Sequence, residues 1–171
     1  AMSSSVAALV GGGRTGLKWP NDVQVDGLKV CGVLAELLPS GGVVMGTGVN
    51  LTLTEDELPV PTAISLALAG VAQGGDELVD LVLSGYLAGL TELLGRYLAA
   101  GADAEASGIH RVVVEWCRTL GRSVRVSLPG GADLFGVAVG IDSAGCLLVR
   151  TDRDGAISSV AAGDVTHLRY E

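Results

Sequence analysis

An Asp26-Gly27 dipeptide between two apolar runs is the feature that most constrains how this chain can fold. The runs are Val23–Val25 and Leu28–Leu38. An Asp-Gly pair in this setting is typical of a two-residue type I′ turn, which joins two antiparallel strands. The second run is almost continuously apolar, and this predicts a strand that is buried on both faces. Together with the strand-like segment Val43–Leu53, these runs predict a sheet of three or four mostly antiparallel strands.

A long helix is predicted in the middle of the chain. Leucine, valine and tyrosine side chains recur at spacings of three and four over Glu77–Ala100 and give one apolar face. Asp76 can cap the start of this helix, and Gly101 marks its end. A weaker helical pattern covers Gly108–Leu120. Strands and helices together indicate an α+β fold with a mixed or antiparallel sheet.

The pattern of the sequence changes at Gly121. From there, short strand-like segments alternate with turn signals about every 8–12 residues, which is typical of a small antiparallel barrel. Five such strands suit an SH3-like barrel. We therefore predict two domains, residues 1–120 and residues 121–171. His167 lies on a strand of the second domain and is interpreted as a packing residue.

Charge and cysteine content exclude several classes of function. The net charge is −8, and no basic stripe of the nucleic-acid-binding type is present. Cys31, Cys117 and Cys146 are isolated from one another and from histidine, which indicates reduced thiols and no structural zinc site. No uninterrupted apolar run approaches the ~20 residues that cross a bilayer, and the first residues lack the basic start of a signal peptide. We expect a cytoplasmic protein that binds neither nucleic acid nor membrane.

The only two lysines of the chain, Lys18 and Lys29, lie on either side of the predicted turn. A paired hairpin can bring both ammonium groups to one end of a sheet, and such compact charges suit a phosphate or carboxylate. Asp22 follows Pro20-Asn21, a pair that favours a turn. A carboxylate beside two ammonium groups can hold Mg²⁺ together with nucleotide phosphates. Chance proximity of the lysines and a plain turn role for Asp22 remain alternatives.

Three glycines and an asparagine extend this pattern. Gly32, Gly46 and Gly48 lie inside strand-like segments, where glycine weakens a strand and often marks the close approach of a ligand or another backbone. Asn50 follows the last of these glycines. An asparagine amide can accept a hydrogen bond from N6 of adenine and donate one to N7.

The segment KWPNDVQVDGLKVCGVLAE (residues 18–36), followed by GTGVN (residues 46–50), is similar to the catalytic core of the biotin protein ligases. The segments RSVRVSLPGG, GVAVGIDSAGCLLVR and GDVTHLR resemble the SH3-like C-terminal domain of that family. The resemblance implies a partial, class II synthetase-like ligase core followed by a small SH3-like β-barrel. It also implies an ATP-dependent ligase that attaches biotin to a biotin carboxyl carrier protein. Biotin and ATP form biotinyl-AMP in a first step, and a carrier lysine attacks this anhydride in a second.

The resemblance also implies roles for charged and polar residues. Lys29 matches the family's lysine near the biotin carboxyl group and the α-phosphate, and Lys18 matches one that helps to hold the phosphates. Asn21 and Asp22 match positions near the phosphates and Mg²⁺, with Asp22 as the implied Mg²⁺ ligand. ATP, Mg²⁺ and biotin enter as substrates, and no tightly bound cofactor is implied.

The implied biotin and adenylate slot lies along the glycine-containing strands. Gly32, Val33 and Leu34 match the lining of the slot for biotin's valeryl chain, and Gly46 and Gly48 match the facing strand. Asn50 matches the residue that reads adenine.

The chain departs from the family pattern before the KWPND motif. In the family, a Ser-Thr-Asn segment and a GRGRxGR loop lie far upstream, whereas GGGRTG (residues 11–16) abuts the motif here and is interpreted as a connector. We therefore expect the C-terminal two-thirds of a ligase, without the family's optional DNA-binding domain. One alternative is a catalytically incomplete module that binds nucleotide or acceptor protein. Another is a structural partner that forms a homodimer through an exposed sheet edge.

Overall fold

Residues 1–168 are described by a computed structural model and form two compact units. The first unit comprises residues 1–17 and 21–95, and the second comprises residues 18–20 and 96–168. One-turn 3₁₀ helices cover Gly12–Arg14 and Glu55–Glu57. The other elements are, in chain order, α1 (Met2–Val10), β1 (Thr15–Lys18), β2 (Asp22–Val25), β3 (Leu28–Leu37), β4 (Val43–Val49), α2 (Gly75–Ala99), α3 (Ile109–Trp116), β5 (Ser123–Ser127), β6 (Asp133–Ile141), β7 (Leu147–Thr151), β8 (Ile157–Val160) and β9 (Asp164–His167).

The first unit is built on a four-stranded sheet in the order β1-β2-β3-β4. β3 pairs antiparallel with both β2 and β4. Asp26 and Gly27 join β2 to β3 with φ angles of 52° and 81°. Positive φ at both central residues is the signature of a type I′ turn, so the predicted antiparallel hairpin is confirmed. The α+β class with antiparallel sheets is confirmed as well.

Arg14 gives the GGGRTG segment a structural role. Its Nη2 lies 2.6 Å from Oδ2 of Asp26 in the hairpin turn, and its Nη1 donates a hydrogen bond to the carbonyl oxygen of Ala69. The arginine ties the turn to another loop of the first unit. This agrees with the interpretation of the segment as a connector.

The core of the first unit lies between the sheet and two helices. Leu78, Val82 and Tyr86 follow one another at intervals of four on α2, and all three are buried in the core cluster that also contains Val6 of α1. This part of the predicted apolar face of α2 is confirmed. The sheet contributes four buried side chains to the same core, those of Val23, Val25, Val30 and Cys31.

The far end of α2 is more exposed than its start. Leu94 and Leu98 are 51% and 63% exposed. By length and composition, α2 is apolar enough to cross a membrane. A search for uninterrupted apolar runs in the sequence misses this helix, because Asp80 and Glu92 lie within it. This property is only weak evidence for a membrane-spanning helix, because core helices of soluble proteins meet the same criterion.

The expectation that β3 is buried on both faces is wrong for the second half of the strand. Val30 and Cys31 are buried, whereas Leu34 and Leu37 are 70% and 73% exposed. Apolar composition alone cannot distinguish a strand covered on two faces from one whose outer half is open. In the described part of the chain, the outer half of β3 pairs with β4 and stays exposed.

The second unit contains a five-stranded antiparallel sheet in the order β8-β7-β6-β5-β9. This matches the number of strands expected for the SH3-like module. Alternating valines and other small apolar side chains fill the core, as in sheets with one buried face. The buried set from the strands is Val124, Val126, Ala138, Ile141, Leu147, Val149, Val160 and Val165.

The helix α3 belongs to the second unit, together with the five-stranded sheet. It is shorter than the helical pattern over Gly108–Leu120 and ends where Cys117 adopts extended backbone. Val113 and Val114 of α3 pack against the core of the five-stranded sheet. The compact units consequently divide the chain at 95/96, whereas the sequence placed a boundary at 120/121.

Candidate active site

A row of residues with little side-chain bulk crosses the sheet of the first unit. Asp22 on β2 pairs with Gly32 on β3, and Gly32 pairs with Gly48 on β4. In the next row, Leu34 pairs with Gly46. Directly opposed residues of antiparallel strands project from the same face of a sheet, so these groups share one face. We call the strip formed by Gly32, Gly46 and Gly48 the glycine row.

The other face of the same strands belongs to the core. Cys31 is buried there, and Val33 and Val49 pack against the same cluster. Val33 alternates with Gly32 and Leu34, so its side chain points away from the glycine row. Only its backbone can take part in lining the predicted slot, while Leu34 lies on the open face.

Lys29 and Asp22 form an ion pair at one end of the glycine row. The Lys29 Nζ atom lies 2.6 Å from Asp22 Oδ1, and the two side chains are 44% and 14% exposed. The backbone of Lys29 is fixed on both sides, because its N–H donates to the carbonyl of Thr62 and its carbonyl accepts from the N–H of Ile64. The Lys29 ammonium group is partly open to solvent, so an incoming anion can compete with Asp22 for it.

The glycines differ in what lies above them. A Cβ atom at Gly32 would stand 3.3 Å from both Cε and Nζ of Lys29 and 3.9 Å from Oδ1 of Asp22. The lysine therefore passes over Gly32, and a side chain there would displace it. A Cβ atom at Gly46 or Gly48 would meet no atom of the described residues within 4 Å. The glycine row is closed by Lys29 at one end and open along β4.

Two asparagines flank this region. The Nδ2 group of Asn50 donates to the carbonyl oxygen of Ile64 at 3.1 Å, which leaves its second N–H and its side-chain oxygen for other partners. Asn21 is exposed, and its backbone carbonyl accepts a hydrogen bond from the N–H of Val33. Asn21, Asp22, Lys29 and Asn50 thus all lie in the first unit.

Lys18 belongs to the second unit together with Trp19 and Pro20. Trp19 is 93% buried in the core of that unit, since only 7% of its surface is exposed. Its backbone N–H donates to Oγ1 of Thr119, and its indole Nε1–H donates to the carbonyl oxygen of Gly145. Sequence analysis missed Thr119, because nothing in the local sequence connects it to a residue 100 positions away.

The residues described here do not form a cage for a resident metal ion. Within residues 1–168, no group of three or more histidine, cysteine, aspartate or glutamate side chains gathers. The carboxylate of Asp22 faces the Lys29 ammonium group. A single carboxylate suits Mg²⁺ that arrives already bound to nucleotide phosphates, since Mg²⁺ commonly takes one or two carboxylates plus phosphate oxygens.

Cys31 lies behind the ion pair on the core face. Burial raises the pKa of its thiol to about 11, while the Lys29 charge lowers it and the Asp22 charge raises it. The thiolate is the reactive form, and its population at pH 8 is about a hundredfold smaller than for a thiol of ordinary pKa. We expect iodoacetamide at pH 8 to label Cys31 in the folded chain about a hundredfold more slowly than in denaturant.

Mass spectrometry of peptides from the two conditions measures these rates. The partly exposed Cys146 is the internal control, and it should be labelled first in the folded chain. Equal rates for Cys31 in folded and denatured samples would contradict the burial of this thiol behind the sheet.

Comparison with known proteins identifies relatives of both units. Residues 119–168 match the protein family described as the biotin protein ligase C terminal domain. The whole chain is similar to the biotin--[acetyl-CoA-carboxylase] ligase of Mycobacterium tuberculosis, with 38% identity over 99% of this chain and 60% of the relative. It is also similar to the bifunctional ligase/repressor BirA of Escherichia coli, with 27% identity over 95% of this chain and 49% of the relative. The chain therefore spans 60% or less of the length of these two relatives.

The fold of the chain is also similar to that of a biotin protein ligase. The apo structure of the biotin protein ligase from Aquifex aeolicus matches 98% of this chain and 73% of its own length, with a TM-score of 0.72 and 23% identity. At this identity the match establishes the fold. The chain is thus similar to biotin protein ligases over nearly its whole length, and residues 119–168 match the C-terminal domain of that family.

Proposed function

We propose that this chain carries the adenylate-forming part of a biotin protein ligase, which attaches biotin to a lysine of a carrier protein. The observation that carries the proposal is the Lys29–Asp22 pair beside the glycine row, in a chain 38% identical to a biotin--[acetyl-CoA-carboxylase] ligase. A positive charge at the end of an open strip free of side chains suits a ligand that joins an acyl chain to a phosphate.

The first step brings two anions together. A carboxylate oxygen of biotin attacks the α-phosphorus of ATP, and the bond between that phosphorus and the departing pyrophosphate breaks. Lys29 offsets the repulsion between carboxylate and phosphate, and a preorganised positive group of this kind is worth roughly 3–4 kcal/mol in the transition state. Asp22 holds the ammonium group over Gly32 before the substrates arrive, so little reorganisation is needed.

The second step transfers the biotinyl group. The amine of a carrier lysine attacks the carbonyl carbon of biotinyl-AMP, an amide bond forms, and AMP leaves. The open side of the glycine row along Gly46 and Gly48 gives the amine of another protein a route to the anhydride. We assign the acceptor to the biotin carboxyl carrier domain of a biotin-dependent carboxylase.

Other residues are assigned to binding. Lys18 contacts the phosphates, and Asn21 lies near them. Asp22 is the protein ligand for Mg²⁺ that enters with ATP. Asn50 pairs with adenine through the amide groups that its bond to Ile64 leaves available.

The cellular setting follows from charge and thiol chemistry. The net charge of −8 disfavours binding to nucleic acid, and the three cysteines are free. We propose a cytoplasmic location without membrane attachment. Sedimentation at high protein concentration tests for a homodimer formed through the β4 edge of the sheet, and a strict monomer would exclude it.

The experiment that tests the function joins the chain to the part of the Mycobacterium tuberculosis ligase that has no counterpart here. We call the product the complemented enzyme. Biotin-dependent release of pyrophosphate from MgATP, followed by transfer of biotin to a carrier domain, is expected. If the complemented enzyme binds MgATP and biotin but releases no pyrophosphate, the site is a binding module and the ligase assignment fails.

Filling the glycine row is expected to weaken ligand binding without weakening the fold. Gly48→Val places a side chain in open space on a strand that favours β-branched residues, so the melting temperature should not fall. The same side chain occupies the proposed adenylate slot, and we expect the Kd for a non-hydrolysable acyl-adenylate analogue to rise about tenfold or more.

Calorimetric titration of the chain measures this change. Thr47→Val, one residue away on the core-facing side of β4, is the matched control and should leave Kd within about twofold. An unchanged Kd for Gly48→Val would place the ligand elsewhere.

A further inference from the structure

Two hydrogen bonds anchor the segment that carries Lys18 within the second unit, and a third joins one of their acceptors to His167. The N–H of Trp19 donates to Thr119 Oγ1 at 3.1 Å, and the indole N–H of Trp19 donates to the Gly145 carbonyl at 3.0 Å. The Thr119 hydroxyl also lies 3.2 Å from Nε2 of His167. Thr119 is completely buried, so no water competes for these bonds.

The hydroxyl of Thr119 can satisfy both of its neighbours at once. A hydroxyl accepts with its lone pairs and donates one hydrogen. It accepts from the Trp19 N–H and can donate to Nε2 of a neutral His167 ring. The pKa of His167 is lowered by its burial and by the positive charges of Lys18 and Arg122, which favours this neutral form. The result is a continuous hydrogen-bonded chain from Trp19 through Thr119 to His167.

The bond to the Trp19 N–H acts directly on the backbone of Lys18. The six atoms from Cα of Lys18 to Cα of Trp19 lie in one rigid peptide plane. Fixing the N–H of that plane and burying the Trp19 ring therefore fixes the Cα atom of Lys18.

We propose that Thr119 is a positioning residue for Lys18 and that His167 orients its hydroxyl. This inference rests on the proposed function, in which Lys18 contacts the nucleotide phosphates. Thr119 and His167 both lie inside the matched range 119–168. His167, interpreted from sequence as a packing residue, would contribute through its hydrogen bond.

The test compares two replacements of Thr119 in the full chain. Thr119→Val keeps the shape of the side chain and removes the hydroxyl, whereas Thr119→Ser keeps the hydroxyl. Hydrogen exchange of the Trp19 amide, followed by NMR, measures directly how well the hydrogen bond from Trp19 to Thr119 protects this amide. Calorimetric titration with MgATP reports its consequence for binding.

For Thr119→Val we expect exchange of the Trp19 amide to accelerate about tenfold or more and the Kd for MgATP to rise about tenfold. Thr119→Ser should remain within about twofold of the unaltered chain in both measurements. His167→Phe, which removes the ring nitrogen, should produce part of the loss seen for Thr119→Val.

Thr151→Val controls for general destabilisation. Thr151 is another buried threonine of the second unit, and its hydroxyl bonds to Asp154 rather than to the Lys18 segment. This variant should leave the Trp19 exchange rate and the Kd for MgATP unchanged. If Thr151→Val weakens MgATP binding as much as Thr119→Val does, positioning is refuted and a general loss of stability explains the result.

The outcomes separate the two proposals. If Lys29→Met abolishes MgATP binding but Thr119→Val changes neither measurement, the proposed function stands and the positioning role is overturned. If the unaltered chain binds no MgATP, the proposed function fails for this chain. The hydrogen bond between Trp19 and Thr119 is then tested by amide hydrogen exchange alone. Faster exchange of the Trp19 amide in Thr119→Val only would support the positioning role, and equal exchange rates in all variants would refute it.

Discussion

Lys29→Met is expected to lower biotin-dependent pyrophosphate release by the complemented enzyme about 10²–10³-fold, the range seen when one preorganised group that stabilises transition-state charge is removed. Methionine keeps much of the length of the lysine side chain and removes the charge. The biotin carboxylate and the α-phosphate then approach without a cation between them.

The replacement should act on chemistry rather than on folding. Lys29 is 44% exposed and Asp22 is 14% exposed, so loss of the ion pair should lower the melting temperature by several degrees while the variant stays folded in the assay. Arg153→Met is the matched control: it removes one positive charge from a side chain that is 91% exposed in the second unit. Its rate should stay within about twofold of the unaltered enzyme, because the charge of so exposed a side chain is screened by salt. A Lys29→Met enzyme of normal rate would remove the lysine from the mechanism.

Gly136→Ala is expected to destabilise the second unit by about 3 kcal/mol or more, at the upper end of overpacking effects. A Cβ atom at Gly136 on β6 would overlap the carbonyl oxygen of Arg150 on β7. It would also stand 2.9 Å from Cγ1 of Val149, a fully buried side chain. The obstacle is backbone of a paired strand, so it cannot move aside as a flexible side chain would.

Gly140→Ala on the same strand is the matched control. Its Cβ atom would stand 3.5 Å from Cδ1 of Leu148, an ordinary van der Waals contact. Its stability should change by less than about 1 kcal/mol, and the smaller backbone entropy of the unfolded chain favours alanine. Urea denaturation followed by tryptophan fluorescence measures both variants, since the two tryptophans, Trp19 and Trp116, lie in the second unit. Equal midpoints would contradict the β6–β7 packing described above.

Local chemistry explains which parts of the fold could be predicted from sequence. The hairpin at Asp26-Gly27 was predictable because a two-residue turn with positive φ depends on the residues within it. The start of α2 was predictable for the same kind of reason, since Leu78, Val82 and Tyr86 repeat with the period of a helix. The five strands of the second unit follow regularly spaced turn signals.

Features that depend on distant contacts could not be predicted. The exposure of Leu34 and Leu37 depends on what packs over β3, and an apolar run carries no information about that. The grouping of Lys18 with the second unit depends on the burial of Trp19 among residues from Val113 to Val165. The two lysines were predicted as one pair, and the structure shows Lys29 beside Asp22 in one unit and Lys18 anchored in the other.

The positions of the proposed site residues depend partly on local strand pairing. Asp22, Gly32 and Gly48 fall in one row because antiparallel register places them opposite one another, a consequence of the hairpin that the sequence indicates. The contact between Lys29 and Asp22 also depends on an irregularity in the β2–β3 pairing between Val23 and Gln24. Such irregularities have no reliable local signal, so the partner of Lys29 had to come from the structure.

The most direct test of the central claim is to map where an acyl-adenylate analogue binds. Backbone amide shifts of the isotopically labelled chain, recorded during titration with a non-hydrolysable analogue of biotinyl-AMP, locate the ligand without reliance on activity. The largest shifts are predicted at Gly32, Gly46 and Gly48, with those of Gly136 and Gly140 unchanged. Saturable binding that leaves the three glycines of the row unshifted would contradict the claim that this strip of the sheet is the adenylate site.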